Sequence, residues 1–161
     1  MKTNCFKLLL ILSVLFTACA GSKEARTMKS SINGTWTLET IAIEGDNSIL
    51  NVKVFNEADN TCFIGSNWTF MGNNGTGTYT LPQGKGECNT LTRKIHWSIY
   101  EPKDEEKRFQ FKRLDDKGKP LDDNNGYRLT VRSLSDNDMK LVSQITYKNK
   151  PVSIVYNFVK K

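Results

Sequence analysis

"KIHWSIYE", residues 94–101, decides the fold of this chain. Ile95, Trp97 and Ile99 take every second position, with Lys94, His96 and Ser98 between them. A period of two puts the apolar side chains on one face of an extended strand and the polar ones on the other. The same alternation continues on both sides of this stretch. Phe109 and Phe111 alternate with Gln110 and Lys112, and Tyr127, Leu129 and Val131 with Arg128, Thr130 and Arg132. Met139, Leu141, Ser143, Ile145 and Tyr147 share one face of the next segment, and Val152, Ile154, Tyr156 and Phe158 one face of the last.

Turn chemistry separates these segments. Asn73-Asn74-Gly75 supplies residues that accept the positive φ of a tight hairpin, Asp136-Asn137-Asp138 and Asp122 through Gly126 are polar turns, and Lys148-Asn149-Lys150-Pro151 joins the last two strands. Eight strands are predicted, over 34–44, 67–71, 76–81, 92–100, 108–114, 126–134, 139–147 and 152–159. Eight consecutive antiparallel strands with short links favour an all-β, up-and-down barrel, because closure removes the exposed edges of an open meander. Between the first two barrel strands, Leu50, Val52 and Val54 alternate and Asn56 to Asp59 can cap a helical turn, so a short extra strand or helical turn is expected there. Trp36 and Leu38 share one phase of the first strand, Ile41 and Ile43 the other, which places a bulge near Glu39-Thr40. The strands are mostly too short, and their second face too charged, for a membrane-spanning barrel.

The N-terminus carries an address. Lys2 and Lys7 precede an apolar run from Leu8 to Phe16, too short to span a membrane, and small residues follow it. Residues 1–18 therefore read as a signal peptide, and residues 19–32 as a flexible polar tether leading to a domain over 33–161. Phe16-Thr17-Ala18-Cys19 resembles the lipobox of bacterial lipoproteins, with Phe16 where leucine is usual; Cys19 is thereby the expected lipidation site and membrane anchor. Ala20, in place of aspartate, is compatible with sorting to the outer membrane of the cell envelope, with the side it faces left open. Once Cys5 leaves with the signal peptide and Cys19 takes lipid, Cys62 and Cys88 remain, and an oxidising compartment makes them a disulfide. Removing Lys2 and Lys7 lowers the net charge from +6 to +4, with basic and acidic residues interspersed, so nucleic acid is not an expected partner.

The domain resembles the lipocalin-like domain of lipoproteins from Bacteroidetes-type bacteria. The likeness covers residues 33–160 and rests on Gly34-Thr35-Trp36 at the start of the first strand and on "FNEADNTCFIGSNWTF", "KIHWSIYE", "FQFK", "GYRLTVRSLS" and "VSIVYNF". It implies a barrel closed at one end by a tryptophan beneath a basic side chain from a late strand. Trp36 matches the first role and Arg128 or Arg132 the second, while the end of the last strand offers Lys160 where the family pattern has arginine. The Thr-Asp-x-x-Tyr motif of classical lipocalins is not evident.

An eight-stranded barrel has room for packed side chains or for one small ligand. Trp68, Trp97, Phe109, Phe111, Tyr127, Tyr147 and Tyr156 are the candidate ligand-binding residues, able to hold a hydrophobic or amphipathic molecule by burial and stacking, or else to fill the core. His96, the single histidine, lies on the polar strand phase with no nucleophile motif beside it, so no catalytic residue is assigned. The paired aspartates at 115–116 and 122–123 lack calcium-loop spacing, and no metal or cofactor is expected. The function expected is that of a non-enzymatic, monomeric, lipid-anchored binding protein. The alternative is a filled scaffold that binds an envelope protein or glycan through Phe63, Tyr100, the 82–89 loop or its outer face.

Overall fold

The computed structural model describes residues 21–45, 51–83 and 88–161. Its elements in chain order are α1 (Lys23–Ile32), β1 (Gly34–Glu44), β2 (Lys53–Val54), β3 (Ala58–Asp59), α2 (Asn60–Phe63), β4 (Asn67–Met71), β5 (Thr76–Leu81), β6 (Leu91–Tyr100), β7 (Arg108–Leu114), β8 (Tyr127–Leu134), β9 (Asp138–Tyr147) and β10 (Lys150–Lys160). Eight of the strands close into an antiparallel barrel in the order β1-β10-β9-β8-β7-β6-β5-β4, with β1 also paired to β4. The expected all-β, up-and-down barrel is thus the observed architecture; four of the expected strand spans match residue for residue, and the other four differ by no more than two residues at an end.

Register follows the apolar phase. In β7 the residues Phe109, Phe111 and Arg113 are buried while their neighbours are half-exposed, and in β5 Gly77, Tyr79 and Leu81 take the inner face. The register of β1 against β10 shifts between Leu38 and Thr40, where the change of phase required a bulge, and a second shift between Val131 and Ser133 lies in β8. The turn into β5 depends on Gly75, with φ +68°; a Cβ there would stand 2.6 Å from the Trp97 carbonyl oxygen. Lys148 and Asn149 both take positive φ in the two-residue turn joining β9 to β10.

Between β1 and β4 the chain forms both features expected there, a small β2–β3 hairpin and the single turn α2. The Cys62–Cys88 disulfide pins this insertion to the segment ahead of β6, with Cα atoms 5.3 Å apart. The bridge links residues 26 positions apart, so its loss frees a loop worth on the order of 3 kcal/mol of unfolded-state entropy. Reduction of the protein is expected to lower the urea midpoint accordingly, with Cys62→Ser plus Cys88→Ser reproducing the shift and abolishing the effect of reductant.

The tether expected over residues 19–32 needs correcting, for residues 23–32 form a docked helix. Ala25, Met28 and Ile32 recur at helical spacing inside a polar segment, and Ala25 and Ile32 are buried. Ser22 caps the helix through the Ala25 amide at 3.1 Å, Glu24 lies in its first turn and Lys29 in its last. Lys107 then grips Glu24 at 2.6 Å, and both Oγ and N–H of Ser22 donate to Glu101. The signal peptide over 1–18 and the lipidation site Cys19 lie outside the described residues.

Candidate functional site

Two ends of the barrel differ in chemistry. At the α1 end, Trp36 is fully buried and its indole N–H donates to the Ile32 carbonyl at 2.8 Å. The cation above it is Lys160, whose Nζ lies 5.1 Å from the ring centroid and donates to the Ser31 carbonyl at 3.1 Å. Arg128 and Arg132, expected in that place, stand elsewhere. Arg128 covers the Tyr100 ring at 4.1 Å and Arg132 pairs with Glu44 at 2.8 Å. The phase explains this: both arginines alternate with Tyr127, Leu129 and Val131 and point outward, whereas Lys160 extends the inward row of Ile154, Tyr156 and Phe158.

The barrel axis is occupied by rings. Of the candidate ligand-binding residues, Trp68, Trp97, Phe109, Phe111 and Tyr156 are core, each at most 2% exposed, and Tyr127 packs against them half-buried. Tyr147 sits apart, at the β9–β10 hairpin beneath Lys148. Phe63, a candidate surface contact, is instead fully buried.

At the other end, two rings in this pile come from outside the barrel strands, Phe63 from α2 and Phe55 from the insertion tip. Phe55 belongs to the β2–β3 hairpin, and its ring lies 5.0–6.1 Å from those of Phe63, Trp68, Phe111, Tyr127 and Tyr156. The tip that delivers it is a turn closed by the Glu57 amide on the Val54 carbonyl, with Phe55 and Asn56 both at φ 50°. Glycine or asparagine suits that left-handed backbone; a phenylalanine costs about 1–2 kcal/mol there, offset by burial of its ring.

Beside Phe55, the same tip lowers Glu57 into a ring of donors. Tyr79 Oη donates to Glu57 Oε2 at 2.6 Å, Arg93 clasps both oxygens at 2.9 and 2.8 Å, and Arg113 Nη1 lies 2.6 Å from Oε2. Arg113 also makes a two-pronged contact with Asp122, at 2.9 and 2.6 Å, and Tyr127 Oη adds 3.1 Å to that carboxylate. Tyr79, Arg93, Arg113 and Tyr127 sit on four successive strands, and all four side chains face inward. Tyr79 and Arg93 are direct cross-strand partners, and Arg113 lies opposite Ile95. Asp122 is brought in by three consecutive left-handed residues, Asp122 to Asn124.

Neither arginine was singled out from the sequence, although the signal was present: Arg93 extends the inward row Ile95-Trp97-Ile99, and Arg113 the row Phe109-Phe111. Inward cations at a barrel end need a buried counter-charge, and residues outside the strands supply it.

The electrostatics follow from this geometry. Burial pushes Glu57 upward, but hydrogen bonds from Arg93, Tyr79 and Arg113 outweigh it and hold the carboxyl at about 2, against an ordinary 4.5. Desolvation and the neighbouring Glu57 push Tyr79 up, and burial raises Tyr127 to about 12. Asp122 is lowered chiefly by its bond from Arg113. A carboxylate whose folded pKa lies below its unfolded value stabilises the fold above the unfolded pKa, and that stability disappears as pH falls toward the folded one. Glu57 is therefore expected to contribute on the order of 3 kcal/mol at neutral pH, lost between about pH 5 and pH 2. Urea unfolding across that range checks it, with Glu57→Gln expected to make the slope shallower and Asp122, also lowered, to keep part of it.

A polar groove of about 590 Å³ lies on the outer face of β6–β8, lined by His96, Ser98, Gln110, Lys112 and Arg128 among others. A smaller depression of about 330 Å³ runs between α1 and the β4–β5 turn. Among the described residues no three histidine, cysteine or acidic side chains gather as a metal site. The donors converging on Glu57 suit the recognition of a carboxylate, and the rings around Phe55 suit an apolar body.

Residues 32–141 match the family model described as a lipocalin-like domain. No curated protein sequence matches the chain. Among solved structures, it is similar to a complex of bovine odorant binding protein with a selenium-containing odorant, at 15% identity and a TM-score of 0.44, covering 88% of this chain and 78% of that one. It is also similar to a deswapped triple mutant of bovine odorant binding protein, at 14% identity and a TM-score of 0.41, covering 81% and 74% of the two chains.

Proposed function

The chain belongs to the lipocalin-like domain family, and from that membership we propose a non-enzymatic, lipid-anchored protein of the bacterial cell envelope that binds a small hydrophobic or amphipathic ligand at the mouth of its barrel. The observation that carries this reading is the origin of Phe55. The strands surround an aromatic niche that they do not fill themselves, and a separate hairpin fills it from outside. A ligand enters by taking that ring's place, so the candidate residues act as walls: Trp68, Phe111, Tyr127 and Tyr156 border the niche, while Trp97 and Phe109 lie deeper in the core. In this reading the anchor is Cys19, the membrane the outer one with either side open, and the working unit a monomer.

Gentle purification from the native host, followed by native mass spectrometry and organic extraction, tests this reading. A recurrent small molecule at one per chain is the expected result, and a bare protein mass under every growth condition would overturn it. Radiolabelled fatty acid incorporated into the wild type but not into Cys19→Ala is the expected sign of the anchor. The groove on the outer face of β6–β8 favours a second reading, a filled scaffold that holds an envelope protein or glycan on that surface. Substitutions at Lys112 and Arg128 would then abolish capture of the partner while leaving extraction of a small molecule unchanged.

A further inference from the structure

We propose that the ligand is an amphiphilic monocarboxylate, and that the insertion tip is its internal stand-in, with Glu57 holding the place of the ligand's carboxylate and Phe55 that of its apolar tail. This deepens the binding reading above and rests on it.

Three observations converge on that class. The first is the donor set: Tyr79, Arg93 and Arg113 stand in the barrel wall on three strands, yet their donors meet at both oxygens of a single carboxylate that belongs to none of those strands. The wall thus presents a carboxylate site to whatever enters from the insertion side, and two guanidinium groups fit that headgroup closely. The second is adjacency. The carboxylate and the buried ring are two residues apart on one short tip, so a polar head and an apolar body occupy neighbouring compartments, as in an amphiphile. The third is charge. Asp122 stays bound to Arg113 through a two-pronged contact, so lifting Glu57 away leaves Arg93, Arg113 and Asp122 with one net positive charge. That balance selects a monoanion over a neutral amphiphile and over a dianion. Exchange conserves charge at the site, because the ligand carboxylate arrives as Glu57 departs to water.

The seating of the tip fits a displaceable element. Phe55 and Asn56 hold left-handed backbone that other residues would adopt more readily, so the tip gives up a strained conformation when it leaves. The two arginines, by contrast, are fixed within β6 and β7 and remain in place to receive the incoming head.

The test uses the full chain in octyl glucoside, a neutral detergent, titrated with octanoate carrying ¹³C at its carboxyl and, separately, with octanol. Octanoate is expected to bind one per chain and at least about tenfold more tightly than octanol, since only it meets the guanidinium groups. Its carboxyl resonance is expected to keep the ionised position well below the acid's ordinary pKa. Glu57→Gln weakens the internal competitor and is expected to tighten octanoate and octanol alike, by about tenfold, because either must displace the same tip. Arg93→Gln, which loosens the tip and the ligand head together, is expected to cut the preference for octanoate over octanol by about tenfold. Thermal melts run alongside show whether each variant folds, and the conservative Glu57→Gln carries the test if the arginine variant does not. Equal binding of octanoate and octanol, insensitive to both substitutions, would overturn the carboxylate assignment and leave the binding reading standing. Selective octanoate binding that ignores both substitutions would place the ligand elsewhere and overturn it as well. Binding of neither probe to wild type or Glu57→Gln would overturn both.

Discussion

Replacing Arg113 with methionine is expected to lower the unfolding free energy by about 3–5 kcal/mol, among the largest losses of any single substitution in this chain. Arg113 is 5% exposed and its guanidinium lies between Glu57 and Asp122, so its removal strands two carboxylates in poorly solvated surroundings. Arg93 still reaches Glu57, but Asp122 is left with the weaker neutral partners Tyr127 and Asn56, and the left-handed turn that delivers it loses its charged hold. Denaturation at neutral pH measures the loss. Because the cost is mainly that of unpaired charge, adding Glu57→Gln to Arg113→Met is expected to destabilise less than the two changes summed. Strict additivity would show that the four groups do not act as one network.

A comparable loss, again about 3–5 kcal/mol, is expected for Trp36→Ala at the opposite end. Trp36 has no exposed surface, donates to the Ile32 carbonyl and lies under Lys160, so truncation opens a cavity and cuts the bond joining α1 to the barrel. Hydrogen exchange separates the two effects. Amides of residues 26–32 are expected to lose protection well before those of β6 and β7, because the helix loses its one buried side-chain bond to β1 and keeps contacts made mostly by charged side chains, from Lys107, Glu101 and Lys160, beside the burial of Ala25 and Ile32. Phe109→Ala makes a suitable comparison, since it truncates a core ring without touching α1.

How far the chain could be read beforehand differs from one part to another. The barrel was legible because alternation in Ile95-Trp97-Ile99 and its counterparts fixes which face turns inward, and one buried face then fixes register. The disulfide was legible from cysteine arithmetic. The helix α1 was hidden by composition: seven of its ten residues are polar or charged, and Ala25, Met28 and Ile32 announce it only by spacing. The cation over Trp36 is Lys160 and neither late-strand arginine, because strand phase, on which the family pattern is silent, turns Arg128 and Arg132 outward and Lys160 inward. Arg93 and Arg113 lay on inward phases, but charge at a strand end ordinarily reaches solvent, and only the insertion's Glu57 shows why these do not. Phe55 was beyond reach, since a phenylalanine adopts left-handed backbone only when tertiary packing rewards it.

The way β1 is paired has a consequence for how the protein is made. Its residues Gly34 to Thr37 find β4, a near neighbour in sequence, but Thr40 to Glu44 hydrogen-bond only with β10, at residues 153–157. During synthesis the first strand therefore emerges long before its second partner. Five residues of its edge, Ile41 and Ile43 among them, wait unpaired until more than a hundred further residues have been translated. Closure is an end-to-end event that no partial chain can complete, so the interval between the two strands is when the protein is most open to aggregation and to chaperone capture. Truncation ahead of residue 153 would leave that interval permanent.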